Sequence, residues 1–305
     1  MKLRLLPIIG LALLPLGAHA AEKLRVVTSI ETLKSLTEAV GGDEVDAQSL
    51  SHGYQDPHFV EAKPSYVVTL SRADLLIHVG LELEIGWLPN LVVGSRNAKI
   101  QPGESGNLDI STAIDVMEVP KVKVDRGMGD IHPRGNPHFW VPPVQGLKIA
   151  RAITERLKEL RPEKAAYFAA RFADFVTELK RRAPAWSAQS AKLKGLKVVT
   201  YHKSWVYVSS WLGIDEIGYV ENKPGIQPDP QHLAQLVNLM KAENVKIILI
   251  EDFYNRGTAD MIADHAGARV LEMPSDVGAT PDIKTYFDLV GAVLSRLTNA
   301  VAQAG

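Results

Sequence analysis

The sequence predicts an α/β protein made of two βαβ, parallel-sheet lobes joined by a long rigid connecting helix. Three observations predict it. Short Val/Ile/Leu-rich runs alternate with helix-length segments along the chain, the pattern of strands buried in parallel sheets. The two halves also echo each other. At a constant offset of 172, Val26, Val27, Thr28, Gly41, Asp43 and Glu44 match Val198, Val199, Thr200, Gly213, Asp215 and Glu216. Between the halves lies a strongly amphipathic stretch with a 3.6-residue period.

The elements follow in order. MKLRLLPIIGLALLPLGAHA places Lys2 and Arg4 before an apolar run and ends in Ala18-His19-Ala20. This is the pattern of a secretory signal peptide cleaved after Ala20, and the run is too short to span a bilayer. No cysteine follows, so a lipid anchor on a cysteine has no attachment point, and a periplasmic location is expected. Residues 21–142 then read as the first lobe, with KLRVVTSI, VDAQSLS and LLIHVG as its strands. In each echoed unit a strand leads through a helix to a terminating glycine, Gly41 or Gly213.

Residues 143–194 read as the helical connector. One segment runs from Leu147 to Leu160 and stops at Arg161-Pro162. A second continues from Glu163 to about Arg182, where Pro184 should kink or end it. Tyr167, Phe168, Phe172, Phe175, Val176 and Leu179 form its apolar stripe and read as core packing. Residues 195–305 form the second lobe, with GLKVVTYH, IDEIGYV, VKIILIED and ARVLEM as strands.

Composition narrows the function. The chain has 305 residues, 46 % of them hydrophobic and none a cysteine, so its core must hold it together without disulfides or thiolate metal sites. Removing Lys2 and Arg4 with the signal takes the formal net charge from −1 to −3, no footing for nucleic-acid binding. HExxH, GxSxG, GxGxxG and Walker-type loops are all absent.

Three of the nine histidines stand where ligands gather, in loops or at strand exits. His58 follows Asp56-Pro57, His138 follows Asn136-Pro137, and His202 leaves the strand VVT. Proline stiffens the first two loops, so an imidazole there loses little entropy on binding. Neutral imidazoles suit zinc and other late divalent metals, and a carboxylate would complete a tetrahedral shell. Asp276, in the loop after ARVLEM, is the expected carboxylate; Glu251 is its rival and Asp282 a weaker one. The alternative reading of each is a helix cap. His132 is either an accessory metal contact or a solvated loop residue, and His52 is similarly ambiguous. His78, His232 and His265 read as structural or surface residues. Four protein ligands would leave a hydrolase neither an open coordination position nor a free base, although Glu251 could serve as a base.

At these residues the chain resembles the zinc/manganese (cluster A-I) family of ABC-transporter solute-binding proteins, over essentially its whole mature length. DPHFVEAKPS at 56–65, NPHFWVPP at 136–143, VVTYHKSW at 198–205 and VLEMPSDVG at 270–278 carry the resemblance. It implies two βαβ lobes joined by one long helix, with the metal in the cleft between them. Carried over, His58, His138 and His202 become metal ligands and Asp276 fills the last position. Manganese-type members tend to have glutamate where His202 stands, so zinc is favoured, with a manganese or iron carrier as the alternative and a secreted zinc hydrolase behind it. The implied partner is a membrane ABC permease, with a periplasmic metallochaperone as a further candidate, and the protein is expected to act as a monomer. Many zinc members carry a long His/Asp/Glu-rich loop before the second ligand; here VKVDRGMGDIHPRG has one histidine.

Overall fold

Strands form where aliphatic residues can face two apolar surfaces in alternation. The computed structural model describes residues 22–122, 129, 132–223 and 225–304. The expected signal peptide, residues 1–20, and most of the short loop at 121–131 lie outside the described residues. Among the described residues no helix is long and apolar enough to cross a membrane.

The first sheet contains β1 (Leu24–Thr28), β2 (Val45–Ser49), β3 (Leu75–His78) and β4 (Asn107–Asp109), all parallel, in the order β2-β1-β3-β4. The second contains β5 (Lys197–Thr200), β6 (Asp215–Tyr219), β7 (Ile247–Glu251) and β8 (Arg269–Met273), in the order β6-β5-β7-β8. Substituting β5 for β1, and so on, turns one order into the other, so the echo between the halves is a repeat of topology. The sequence pattern missed β4, whose three residues carry one buried apolar side chain, Leu108.

Parallel neighbours need crossovers, and helices supply them. In the first lobe these include α1 (Glu31–Gly41), α2 (Pro64–Ser71) and α3 (Leu88–Ser95). The second has α6 (Val206–Leu212), α7 (Pro230–Ala242) and α8 (Gly257–Ala266). The glycine stops are close to expectation. Gly213 ends α6 at φ +67°, whereas in the first lobe Gly41 is still helical and Gly42, at φ +52°, makes the turn.

The connector is two helices, divided at the Arg161-Pro162 stop read from the sequence. α4 (Pro143–Leu160) starts at the Pro142-Pro143 pair, and α5 (Ala165–Ser190) packs back against it after a turn at Pro162–Lys164. Pro184 does not end α5. It is solvent-exposed, so the carbonyl that loses its partner faces water, and Trp186, 6 % exposed, fixes the last turns against Phe287. Phe168 and Phe175 of the predicted stripe are core residues.

Strand alternation divides the core. Val26, Leu75, Ile77, Val198, Ile247 and Leu249 face one cluster shared by both sheets, α1, α4, α5 and the C-terminal helix α9 (Tyr286–Ala304). Their neighbours face away. Val27 and Leu76 meet a cluster under α2 and α3, and Val199, Ile248 and Ile250 meet one under α7 and α8. The carboxyl ends of both sheets are left to build the cleft.

Candidate metal centre

The loop after β2 carries His58, and its shape comes from the residues just before it. The Asp56 carboxylate accepts from the His58 backbone N–H at 2.9 Å, an Asx turn across Pro57. The same oxygen lies 2.7 Å from His58 Nδ1. Trp87, at the start of α3, donates its indole N–H to the Pro57 carbonyl at 2.9 Å. Burial works to raise the Asp56 pKa, but the bonds and charge of His58 outweigh it and hold the carboxyl below its ordinary range.

His138 repeats the device. Asn136 Oδ1 accepts from the His138 N–H at 3.0 Å across Pro137. Asn136 also ties this strap to the second lobe, donating to the Lys203 carbonyl at 2.8 Å, while its own carbonyl accepts from the Tyr207 hydroxyl. His202 stands just beyond β5. Thr200 Oγ1 donates to its carbonyl, and its Nδ1 lies 2.9 Å from Glu221, the second residue after β6.

The three rings meet. Their centroids are 5.1 Å apart for His58 and His138, and 5.3 Å for each of the other pairs. Their ligand nitrogens all lie within 4.8 Å of one another, and all three side chains are buried. Carboxylates at Nδ1 of His58 and His202 assign the proton there and leave Nε2 as the donor atom. His138 Nε2 is buried without a hydrogen-bond partner among the described residues. Such an orphaned acceptor, beside two oriented ones, suits a late divalent cation.

The expected carboxylate, Asp276, bonds to the first turn of α1. Asp276 is 5 % exposed, but Oδ1 accepts from Thr32 N at 2.7 Å, from Thr32 Oγ1 and from Val277 N, and Oδ2 accepts from Glu31 N at 3.1 Å. It caps α1, whose own N-cap residue Ile30 has no capping side chain. Burial nevertheless pushes its pKa up to about 7, against those donors. Glu251 is nearer the rings and shares a space of about 10 Å³ with all three. Its Oε1 accepts from Ser204, its Oε2 has no partner among the described residues, and burial raises its pKa well above the ordinary range. Asp282 is exposed.

His132, which the sequence left ambiguous, lies at the cluster. Its Nε2 is 3.3 Å from His58 Nε2, and its ring bonds to the Leu81 backbone. It stands beside the three histidines whose donor atoms all lie within 4.8 Å of one another, outside that group. Burial and the neighbouring His58 and His202 push the His132 pKa down to about 3. His132 also lines both openings to the cluster, one of about 880 Å³ beside Phe59 and Ile85, the other of about 400 Å³ beside Glu118 and Lys203. His52 stacks on Tyr54, while His78, His232 and His265 bond to Asn107, Tyr219 and Met261 and stay outside the cluster.

Asp56 and Glu221 were missed as functional residues. Asp56 was visible as the residue before Pro57; Glu221 carried only the weak signal of a carboxylate at a strand's carboxyl end.

Comparison with known proteins finds relatives over nearly the whole chain. The high-affinity zinc uptake system protein ZnuA of Bacillus subtilis (strain 168) is 24 % identical over 287 residues, spanning 92 % of this chain and 88 % of that protein. The zinc-binding lipoprotein AdcA of Streptococcus pneumoniae is 23 % identical, but the match spans only 50 % of its length. A zinc-bound crystal structure of a ZnuA 138–173 deletion mutant superposes with a TM-score of 0.75 at 25 % identity, over 92 % of this chain and 98 % of that one. A manganese-bound periplasmic metal binding protein from Candidatus Liberibacter asiaticus, 18 % identical with a TM-score of 0.74, shares the fold over 91 % of this chain and 99 % of its own. The family model described as zinc-uptake complex component A, periplasmic, matches residues 26–300. The chain belongs to that family.

Proposed function

We propose that the protein is the periplasmic zinc-binding component of an ABC importer, holding Zn²⁺ as cargo on His58, His138 and His202 and passing it to the membrane permease. The observation that carries this is the meeting of three buried imidazoles whose donor nitrogens lie within 4.8 Å of one another. His132 Nε2, 3.3 Å from His58 Nε2, stands beside this group, and Asp276, first expected as the carboxylate donor, is held on α1. Three neutral nitrogens favour zinc over manganese, which prefers oxygen. Asp56 and Glu221 orient two of the rings, raise their basicity and balance the charge of the ion from outside its shell.

The role is carriage, with no catalysis. The three imidazoles would hold the ion as cargo, and HExxH and the other catalytic motifs are absent from the sequence. The leader, cleaved after Ala20, would release the protein into the periplasm. It acts as a monomer toward the permease, and a periplasmic metallochaperone is a candidate donor of the ion.

Metal analysis of protein purified from its native compartment tests the reading. Stoichiometric zinc is expected in the wild type, with zinc lost from His202→Ala and retained, more weakly, by Asp276→Ala. Unchanged zinc content and affinity in His202→Ala would refute the site.

A further inference from the structure

We infer that Asp276 is a positioning residue for the ion, a latch between the lobes that sets how fast the cleft releases its zinc. The inference rests on the carrier reading above. Asp276 belongs to the loop after β8 in the second lobe, yet its carboxylate closes the N-terminus of α1 in the first. Thr32 N at 2.7 Å, Thr32 Oγ1 at 2.5 Å and Glu31 N at 3.1 Å all donate to it. Four orphan N–H groups and the positive end of the helix dipole make this a strong place for a carboxylate, and no side chain local to α1 fills it.

The loop touches both first-lobe ligand segments as well. Trp140, whose ring lies 5.6 Å from that of His138, donates its indole N–H to the Ser275 carbonyl at 2.7 Å. Gly53, five residues before His58, presses so closely on the segment after Asp276 that a Cβ there would stand 1.9 Å from the Val277 carbonyl oxygen. Residues 275–277 therefore meet α1, the Trp140 beside one ligand and the loop of another. When the Asp276 cap lets go, the backbone against which His58 and His138 are placed is free to move. The ligand atoms themselves are unchanged.

A metal ligand and a latch give different signatures. Asp276→Ala should speed zinc transfer to a chelator by about tenfold, the scale of one hydrogen bond to a charged group. Thr32→Val, which removes one donor from the other side, should speed it less. The double variant should be no faster than Asp276→Ala alone, because both act through one contact. Asp276→Asn, which keeps one acceptor oxygen for Thr32, should restore most of the wild-type rate, and it serves as the test should the alanine variant fail to fold. The visible absorption of the cobalt-substituted protein, which reports the donor set, should be the same in all of them. An altered cobalt spectrum would make Asp276 a ligand. Unchanged release with lowered melting would make it merely structural, and additive rates would separate it from Thr32; any of these overturns the latch alone. A wild type that takes up no zinc would overturn the carrier reading and the latch with it.

Discussion

His138 and His132 owe their chemistry to burial. Both are held below the ordinary histidine range, first by desolvation and then by the neighbouring rings, His132 down to about 3. In the unfolded chain each returns to roughly 6.5. Acid therefore adds protons to the unfolded chain before the native one, and stability present above pH ~6.5 is lost as pH falls toward the folded values. Asp276 has the opposite sign. Burial raises it from 3.8 to about 7, so the stability tied to its neutral form is lost as pH rises between those two values and is gone above about pH 7. Two histidines outweigh one carboxylate in this shared window, so the thermal midpoint of the metal-free protein should rise from about pH 4 to about pH 6.5 and level off above about pH 7. Differential scanning calorimetry after chelation checks this, and a midpoint flat from about pH 7.5 to about pH 4.5 would contradict it. Zinc-loaded protein should lose its ion in the same acid range, since protons compete for the imidazoles.

At the scale of elements, the turn after β3 is the most strained piece of backbone near the site. Gly80, Leu81 and Glu82 lie in succession at φ +83°, +54° and +67°. The buried Glu84 carboxylate holds the turn by accepting from Val79 N at 2.7 Å and Gly80 N at 3.2 Å. The turn presents the Leu81 backbone that holds His132. A Cβ on Gly80 would stand 2.0 Å from Asp109 Oδ1, and Asp109 pairs with Arg134, two residues after His132. Gly80→Ala should therefore lower stability by about 1–3 kcal/mol, and it should weaken zinc binding through His132. Urea unfolding and zinc titration read the two effects, and an unchanged affinity would detach the turn from the site. No sequence pattern announced this turn, because Leu81 and Glu82 are unusual residues for left-handed backbone. The three strand-exit histidines were legible for the opposite reason. Strand runs fix where carboxyl ends fall, and Asx-Pro-His stiffens whatever follows. Asp276 was not legible. A carboxylate in a Pro/Gly-rich loop reads alike as ligand or helix cap, and its partner Thr32 lies 244 residues away. In the connector the break at Arg161-Pro162 was legible from the proline, but a periodic stripe does not show that α5 packs back against α4.

Across the whole molecule, one apolar cluster runs through both lobes. Leu33 and Leu36 of α1, Ile149 and Ile153 of α4, Phe175 of α5 and Leu289 and Leu294 of α9 all belong to it, together with strand residues of both sheets. Polar ties follow the same path. The Tyr286 hydroxyl, at the start of α9, bonds to the Val141 and Pro142 carbonyls, and its backbone N–H donates to Ser35 in α1. A wide hinge would have to expose part of this shared core to water, at roughly 25 cal/mol per Å² of apolar area. Small adjustments of the ligand loops expose little. Loss of zinc should therefore shift the lobes slightly and leave release to movement of the loops. The chain has no cysteine, so Arg72→Cys on the first lobe and Lys241→Cys on the second can carry spin labels without background. Pulsed electron resonance should find inter-label distances in the zinc-bound and metal-free protein that differ by no more than about 3 Å, below the range of hinge closure. Two distributions that do not overlap would overturn the rigid core and make lobe rotation the step that frees the ion.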